Sequence, residues 1–479
     1  MAYTPDPSIL ATPFAELAPV IQDGVVSQAI KNSLQQNLVF GSEFMEKEVW
    51  TMNVGQTITV ARDAPMAPTD EPKNPNVAPT YKPPKYEETL ASVAAYGDAI
   101  KLDMLQSAAT IKGYAVNRLN TLGRNAANSM NAIRRKALYS GYLGGHAVAL
   151  ATEGASSSLL VSSINGFQKQ IDSDGKWLNV SSDNPKPIMI GAGTYALVTG
   201  VAALSALFPA GRGTLTLSAN AAWSINDPVV AMDAPYRIYQ GGGTTVDAIS
   251  STDILTLDSL RQALALHDEN GIPPHEDGTY WVHMGPRVKP QLWADPEFQN
   301  VLKGGVQTVQ FGSYELNRAM GCTFISNQQV PTRSNASALQ NSRISTTSAK
   351  LSKSIYGEIV NRNGIELGHT LVTGGGLGKT WYMPQGQLAS AAGNMNATEY
   401  YGMKVSADNM SMMVDEMVRF LILAPNDDNR QNVPANWQFI GSFMLWNDLF
   451  GGTYSPNADA AQTRNPYYKR AVPITHYAG

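Results

Sequence analysis

Between Ala64 and Lys85 the chain carries seven prolines: Pro65, Pro68, Pro72, Pro75, Pro79, Pro83 and Pro84. Proline has no backbone N–H for a ladder and its φ is fixed, so this stretch is barred from a sheet interior and favours extended chain. The runs on either side look like strands. Glu48 to Arg62 alternates polar and apolar residues from Gln56 onward, and Tyr86 to Asp103 contains Thr89, Leu90, Ser92, Val93, Ile100 and Leu102. Together they predict a long two-stranded arm with an irregular tip. An isolated hairpin is marginal in water, so such an arm implies a surface to lie on. A linker between two domains is the alternative. Upstream, Pro5, Pro7 and Pro13 break early structure, and Ile21 to Leu38 is a candidate amphipathic helix.

The clearest helical pattern follows the arm. Met104, Ala108, Ile111, Ala115, Leu119, Leu122, Ala126, Met130 and Ile133 step by threes and fours. Continuous to about Leu138, that helix is roughly 50 Å long at 1.5 Å per residue. Arg124, Arg134, Arg135 and Lys136 lie toward its C-terminal half, where the helix dipole favours cations. Gly113 and Gly123 weaken it, and Gly141 with Gly144-Gly145 is expected to end it.

From about 151 to 250 the texture changes to glycine, serine, threonine, alanine and asparagine with sparse charge. Short apolar runs recur at Pro187–Ile190, Tyr195–Val198, Thr214–Leu217, Pro228–Met232 and Tyr236–Tyr239, separated by turn residues. That spacing predicts a small β sandwich or barrel inserted into the chain. Beyond it, Asp253 to Leu266 reads as a helix capped by Ser or Thr, Tyr280 to Met284 as a strand, and Pro286 to Leu302 as another helix. Met417 to Ala424 and Trp437 to Trp446 are the last strand candidates. The whole is α+β with a β insertion.

Charged residues are 15% of the chain, against about 25% in ordinary soluble domains, which suits a subunit covered by copies of itself. A net charge of -4 and a pI near 5.9 argue against a dedicated nucleic-acid reader. The single cysteine, Cys322, excludes an intrachain disulfide framework and a Cys-rich zinc site, and it reads as a buried free thiol. No cation precedes Lys31, so a secretory signal is not expected. The longest apolar stretch, Ala196 to Phe208, falls short of the ~20 residues of a membrane span. An intracellular, soluble protein without membrane contact is expected.

Three groups of residues invite a chemical reading. Thr373-Gly374-Gly375-Gly376-Leu377-Gly378-Lys379-Thr380 ends like a phosphate-binding loop, which makes a nucleotide-binding enzyme the main competing class. The motif wants glycine where Thr373 stands, and Trp381 and Pro384 are a poor start for its helix, so a glycine loop is expected. His267-Asp268-Glu269 and His275-Glu276-Asp277 are the polar clusters nearest to a metal or acid–base site. Adjacent residues rarely converge on one ion, and a solvated turn around Gly271 is expected. With no Gly-x-Ser-x-Gly elbow either, neither catalytic residues, metal ligands nor a cofactor site is assigned. Methionines at 395, 403, 410, 412, 413 and 417 read as plastic packing.

The order of arm, proline-tipped hairpin, long helix and mixed domain resembles the major capsid proteins of tailed bacteriophages (Caudoviricetes), those of the Hong Kong 97 fold. Three stretches carry the likeness. One is Asp103-Met104-Leu105-Gln106 leading into the long helix that ends at Ala137-Leu138-Tyr139-Ser140-Gly141. Another is Asp253 to His267, Gly271-Ile272-Pro273-Pro274, Tyr280 to Pro286 and Leu292-Trp293-Ala294-Asp295-Pro296. The third is Arg318-Ala319-Met320-Gly321-Cys322-Thr323-Phe324-Ile325.

The resemblance implies an N-terminal arm over 1–40, an extended hairpin or E-loop over 41–103, and a peripheral-domain spine helix over 104–150. It further implies an axial domain with peripheral elements over 251–435 and a C-terminal strand and tail over 436–479, while the inserted β-rich domain over 151–250 departs from the simplest members, although several relatives carry inserted β domains. It implies a non-enzymatic head protein that forms homo-pentamers and homo-hexamers of an icosahedral shell around double-stranded DNA. Its partners would be copies of itself, a portal, and separate scaffolding and decoration proteins, with assembly in the bacterial cytoplasm and residence in the virion. An encapsulin-like nanocompartment shell is the alternative of the same fold. Arg62, Asp63, Lys73, Lys82, Lys85 and Glu87 are the expected inter-subunit contacts of the E-loop, pairing across the interface and setting register.

Overall fold

The computed structural model describes residues 40, 46–50, 57–63, 86–103, 114–171, 177–204, 212–304, 318–327, 330, 365, 367–383, 399–400, 403–404, 410–413, 417–422, 432–445 and 469–478. The first strands are β1 (Glu46–Val49), β2 (Thr57–Asp63), β3 (Tyr86–Ser92) and β4 (Ala94–Asp103), followed by helix α1 (Tyr114–Tyr142). A run of short strands comes next: β5 (His146–Val148), β6 (Glu153–Val161), β7 (Lys169–Ile171), β8 (Trp177–Asn179), β9 (Lys186–Ile190), β10 (Thr194–Ala203), β11 (Gly213–Trp223) and β12 (Pro228–Ala231). Then come β13 (Ile238–Tyr239), α2 (Leu257–Glu269), β14 (Tyr280–Met284), α3 (Val288–Ala294), α4 (Pro296–Gly304), β15 (Arg318–Ala319) and β16 (Cys322–Ser326). The chain ends with β17 (Leu367–Thr373), β18 (Gly378–Tyr382), β19 (Glu399–Tyr400), β20 (Met403–Lys404), β21 (Met410–Met413), β22 (Val418–Ile422), β23 (Asn432–Leu445) and β24 (Ala471–Tyr477). Two compact units result, one from residues 1–58, 91–134 and 379–444 and the other from 59–90, 135–378 and 445–479.

The runs flanking the prolines are each divided. β2 and β3 form a two-stranded sheet of their own, while β1 pairs in parallel with β18 and β4 runs antiparallel to β23. The β4–β23 ladder is in register from Asp103↔Asn432 to Ala94↔Gly441. A strand with partners in two different sheets must break its ladder, which is why neither run is the single strand its sequence suggests. The prolines, the N-terminal helix candidate and the first turns of the expected long helix (104–113) lie outside the described residues.

In the first unit, β23 is the spine of a six-stranded sheet holding β1, β18, β22, β21 and β4. α1 lays an apolar stripe on it: Leu119, Leu122, Ala126 and Met130 are buried, as are Trp437, Phe439 and Phe443 on β23. Asn125 Oδ1 accepts a hydrogen bond from Trp437 Nε1 at 2.8 Å, and the Arg134 guanidinium sits 4.8 Å from the Phe443 ring centroid. The stripe matches the periodic pattern, except that Ile133 is only half-buried while Arg134 is covered. Gly141 lies inside the helix rather than ending it. The stop comes at Gly145, whose φ of +78° is open to glycine and strained for other residues.

In the second unit, β5, β12, β9, β10, β11 and β6 form an antiparallel sheet in that order, and a bridge from Ala149 to Val161 joins its two edges. Ser162 N–H donates to Val148 O and Leu150 N–H to Leu160 O along the seam. The sheet is a closed six-stranded barrel, with no free edges where it closes. Leu159, Val161, Ile188, Ile190, Val198, Leu215, Leu217, Val229 and Ala231 fill it, alternating along their strands with outward residues. The barrel starts at β5, ahead of the residue 151 suggested by the change in composition. It ends at β12, because β13 belongs to the other sheet.

At one mouth of the barrel, Lys186 and Asp233 form a fully buried ion pair at 2.6 Å, and Lys186 Nζ also donates to Lys169 O at 3.0 Å. Burial pushes the Asp233 carboxyl up, and the Lys186 ammonium pulls it the other way.

The second sheet of this unit has the order β13-β24-β17-β14-β16-β15. β17 is buried along its whole length, with α2, α3 and α4 contributing to the adjoining core through Leu257, Leu260, Ala263, Val288, Leu292 and Phe298. The helix expected over 286–302 is two helices. Asp295 separates them in extended conformation, as the residue before Pro296 is pushed out of the helical region. Asp295 also performs the capping expected of Ser or Thr. Its Oδ2 accepts from Leu257 N at 2.8 Å at the start of α2, and its Oδ1 accepts from Glu297 N at 3.0 Å at the start of α4. β24 sits between β13 and β17, so the chain's last strand completes the middle of a sheet instead of forming a tail.

Replacing Lys186 by alanine leaves a buried carboxylate without its partner and is expected to cost about 3–5 kcal/mol, while the double variant Lys186→Met with Asp233→Leu recovers most of that loss. Chemical denaturation of the three proteins checks this.

Candidate assembly interface

The β2–β3 ribbon carries the described members of the charged set singled out in the sequence. Arg62 and Asp63 close β2, and Glu87 is the second residue of β3, so all three flank the connection 64–85. Lys73, Lys82 and Lys85 lie outside the described residues. Among the described residues β2 and β3 pair with each other and with no third strand. Ala91, at the foot of β3, is buried.

The glycine loop has the opposite character. Thr373 is the buried end of β17, and the segment from Gly378 is strand β18, not a helix. Gly376 has φ +66°, and a Cβ there would collide with Arg470 Nη1. Arg470 donates to Gly375 O at 3.1 Å and Gly376 O at 2.7 Å, and the Gly374 and Gly375 N–H groups that a phosphate would need donate instead to Arg470 O and Pro273 O, both at 2.8 Å. Lys379 forms an ion pair with Glu48 of β1. A loop whose carbonyls face an arginine, and whose lysine serves a strand pair, is a structural turn.

The histidine clusters are not the solvated turn the sequence suggests. His267 is buried, stacks on Tyr280 at 5.1 Å and donates from Nε2 to Val372 O at 3.2 Å. His275 is buried, stacks on Trp281 at 3.9 Å and donates from Nε2 to Thr373 O at 3.1 Å. Both staple the α2–β14 connection to the end of β17. The acidic neighbours Asp268, Glu269, Glu276 and Asp277 are exposed, and among the described residues no three His, Cys, Asp or Glu side chains are grouped to hold a metal. Cys322 is buried, and burial pushes its thiol up to about 12. Met417 is buried, Met403 lies on β20 and Met410, Met412 and Met413 lie on β21; Met395 is outside the described residues.

A cleft of about 750 Å³ lies between the barrel and β13, lined by His146, Val230, Arg237, Tyr239, Gly243 and Gln262 among others. Among the lining residues its one imidazole, His146, donates from Nε2 to Pro235 O at 2.7 Å, and burial and then Arg237 lower its pKa to about 3. Sequence reasoning passed over the cations that tie this unit together. Lys469 donates to Ala234 O at 2.8 Å, and Arg237 donates from Nε to Thr475 Oγ1 at 2.9 Å. The adjacent pair Lys469-Arg470 ahead of a short apolar run was the available signal.

No family model and no curated protein matches the chain. Solved structures of phage capsids are among those that match. The chain is similar to the capsid asymmetric unit of cyanophage Pam1 at 8% identity, with 93% of this chain and 92% of that one covered and a TM-score of 0.47. It is similar to the capsid of Ralstonia phage GP4 at 10% identity, 92% and 91% coverage and a TM-score of 0.45. For the capsid of Helicobacter pylori bacteriophage KHP30 the values are 10%, 90% and 87%, and 0.44. No helix among the described residues is long and apolar enough to cross a membrane.

Three buried histidines predict acid sensitivity. Burial lowers His267 and His476 to about 4 and His146 to about 3, from an ordinary 6.5. The unfolded chain therefore binds more protons below pH 6.5, so stability holds above that pH and falls as pH drops toward 4. Denaturant midpoints between pH 7.5 and 4.5 are expected to decline, and His476→Gln should flatten the decline.

Proposed function

We propose that this chain is the major capsid protein of a tailed bacteriophage, a structural subunit of an icosahedral shell that encloses double-stranded DNA. The β2–β3 ribbon carries the reading. It has seven residues per strand, no third strand among the described residues, and a connection too rich in proline to pair. Such a ribbon gains stability by lying on another surface, and in a shell the neighbouring copy offers one at every position. The order of ribbon, long helix and mixed sheet also matches what the resemblance to the Hong Kong 97 fold implies.

The ribbon and its connection carry both signs of charge: Arg62, Lys73, Lys82 and Lys85 against Asp63 and Glu87. Opposite charges on the adjoining copy then set register more than affinity. Individually weak contacts, repeated around pentamers and hexamers, make a closed shell stable through multivalency. A net charge of -4 suits a container that touches DNA non-specifically. Portal, scaffolding and decoration proteins are the other partners of this role, with assembly in the host cytoplasm. The role is structural rather than catalytic.

Negative-stain electron microscopy of the purified protein, alone and with a co-expressed scaffolding protein, tests the proposal. Closed shells or ring-like capsomers tens of nanometres across are expected. A monodisperse monomer under both conditions contradicts it, and shells that copurify with enzyme cargo point to a compartment instead.

A further inference from the structure

Five large hydrophobic side chains stand exposed among the described residues. Four belong to the barrel or to the β7–β8 ribbon bonded to it: Leu178, Tyr195, Leu204 and Ile225, at 46, 58, 66 and 47% exposure. The ribbon is attached through Lys186 Nζ of β9, which donates to Lys169 O. These four residues divide between the two ends of the barrel. Tyr195 follows the β9–β10 turn and Ile225 lies in the β11–β12 turn, which share one end; Gly191 N–H donates to Pro228 O between them. Leu204 follows the far end of β10, the end at which Gly213 begins β11 and where Lys186 holds the β7–β8 ribbon that carries Leu178.

Charge divides the same way. The Tyr195 end carries Glu153, exposed at the start of β6 opposite Trp223, and Asp227, whose carboxylate accepts from Ser224 N at 2.8 Å. The Leu204 end carries the exposed cations Lys169 and Arg212, with Asp183 as the exposed anion. Lys186 and Asp233 neutralise each other inside. Among the described residues each end is thus an apolar pair beside a net charge, negative at the Tyr195 end and positive at the Leu204 end.

We propose that the barrels of neighbouring copies meet head to tail, the Tyr195–Ile225 end of one against the Leu178–Leu204 end of the next. The partner is a second copy of this chain, and the inference rests on the shell reading above. Two like ends brought together would oppose like charges around each apolar pair, which like-charge repulsion disfavours. Unlike ends bury both apolar pairs and set Glu153 and Asp227 against Arg212 and Lys169. A contact between two different surfaces propagates from copy to copy and closes into a ring when its rotation allows.

Charge reversal tests this on the full chain. Glu153→Lys and Arg212→Glu change exposed side chains, so the thermal midpoint of the unassembled subunit should stay at the wild-type value. Each single reversal is expected to lower the yield of closed particles about tenfold at low salt, and the double reversal to restore it. Single variants that assemble like wild type, or a double variant no better than the singles, overturn the head-to-tail contact while leaving the shell reading intact. Rescue would not occur in a contact between two Tyr195 ends, since Arg212 takes no part in it. Wild-type protein that forms no particles contradicts the shell reading and this contact with it. Particles of normal yield that lose a bound second protein in the variants assign the surface to that protein instead.

Discussion

A strand needs partners on its edges and a layer on at least one face, and two strands alone supply neither in full. β2 and β3 pair only with each other among the described residues, yet they continue into β4, which holds ten residues of β23 in strict register. The ribbon is therefore rooted in a well-packed sheet and left without one of its own. The root fixes where the ribbon starts, and in the proposed shell a neighbouring copy gives it a surface to lie on.

The second unit meets the same requirement within one chain. Its barrel satisfies its edges by closing from Ala149 to Val161. Its mixed sheet is completed by β24, which arrives after more than 400 residues and lies between β13 and β17. Lys469 and Arg470, just ahead of β24, bond the barrel exit at Ala234 and the glycine loop at Gly375 and Gly376. That sheet cannot be completed before β24 is available, so the unit depends on long-range pairing.

Periodicity made much of this legible. Leu119, Leu122, Ala126 and Met130 fall on the buried face of α1, and the short apolar runs from Pro187 to Met232 are barrel strands as spaced. What the sequence hid was partner choice. Glu48 to Arg62 alternates like one strand, and nothing local says that its ends pair in different sheets. β24 contains Pro473, which local rules assign to an edge, although its ladder with β13 begins only at Ile474. Buried His267 and His275 looked like a solvated cluster because their acceptors, Val372 and Thr373, lie about a hundred residues away. Of the six charged residues expected at the interface, the topology gathers Arg62, Asp63 and Glu87 on one ribbon.

Hydrogen exchange of the backbone amides, compared between unassembled subunits and particles, tests the central claim most directly. The account predicts fast exchange across Thr57–Asp63 and Tyr86–Ser92 in the unassembled subunit and strong protection in particles, with α1 protected in both. Equal protection of the ribbon before and after assembly would contradict it, because the ribbon would then have found its missing partner within its own chain.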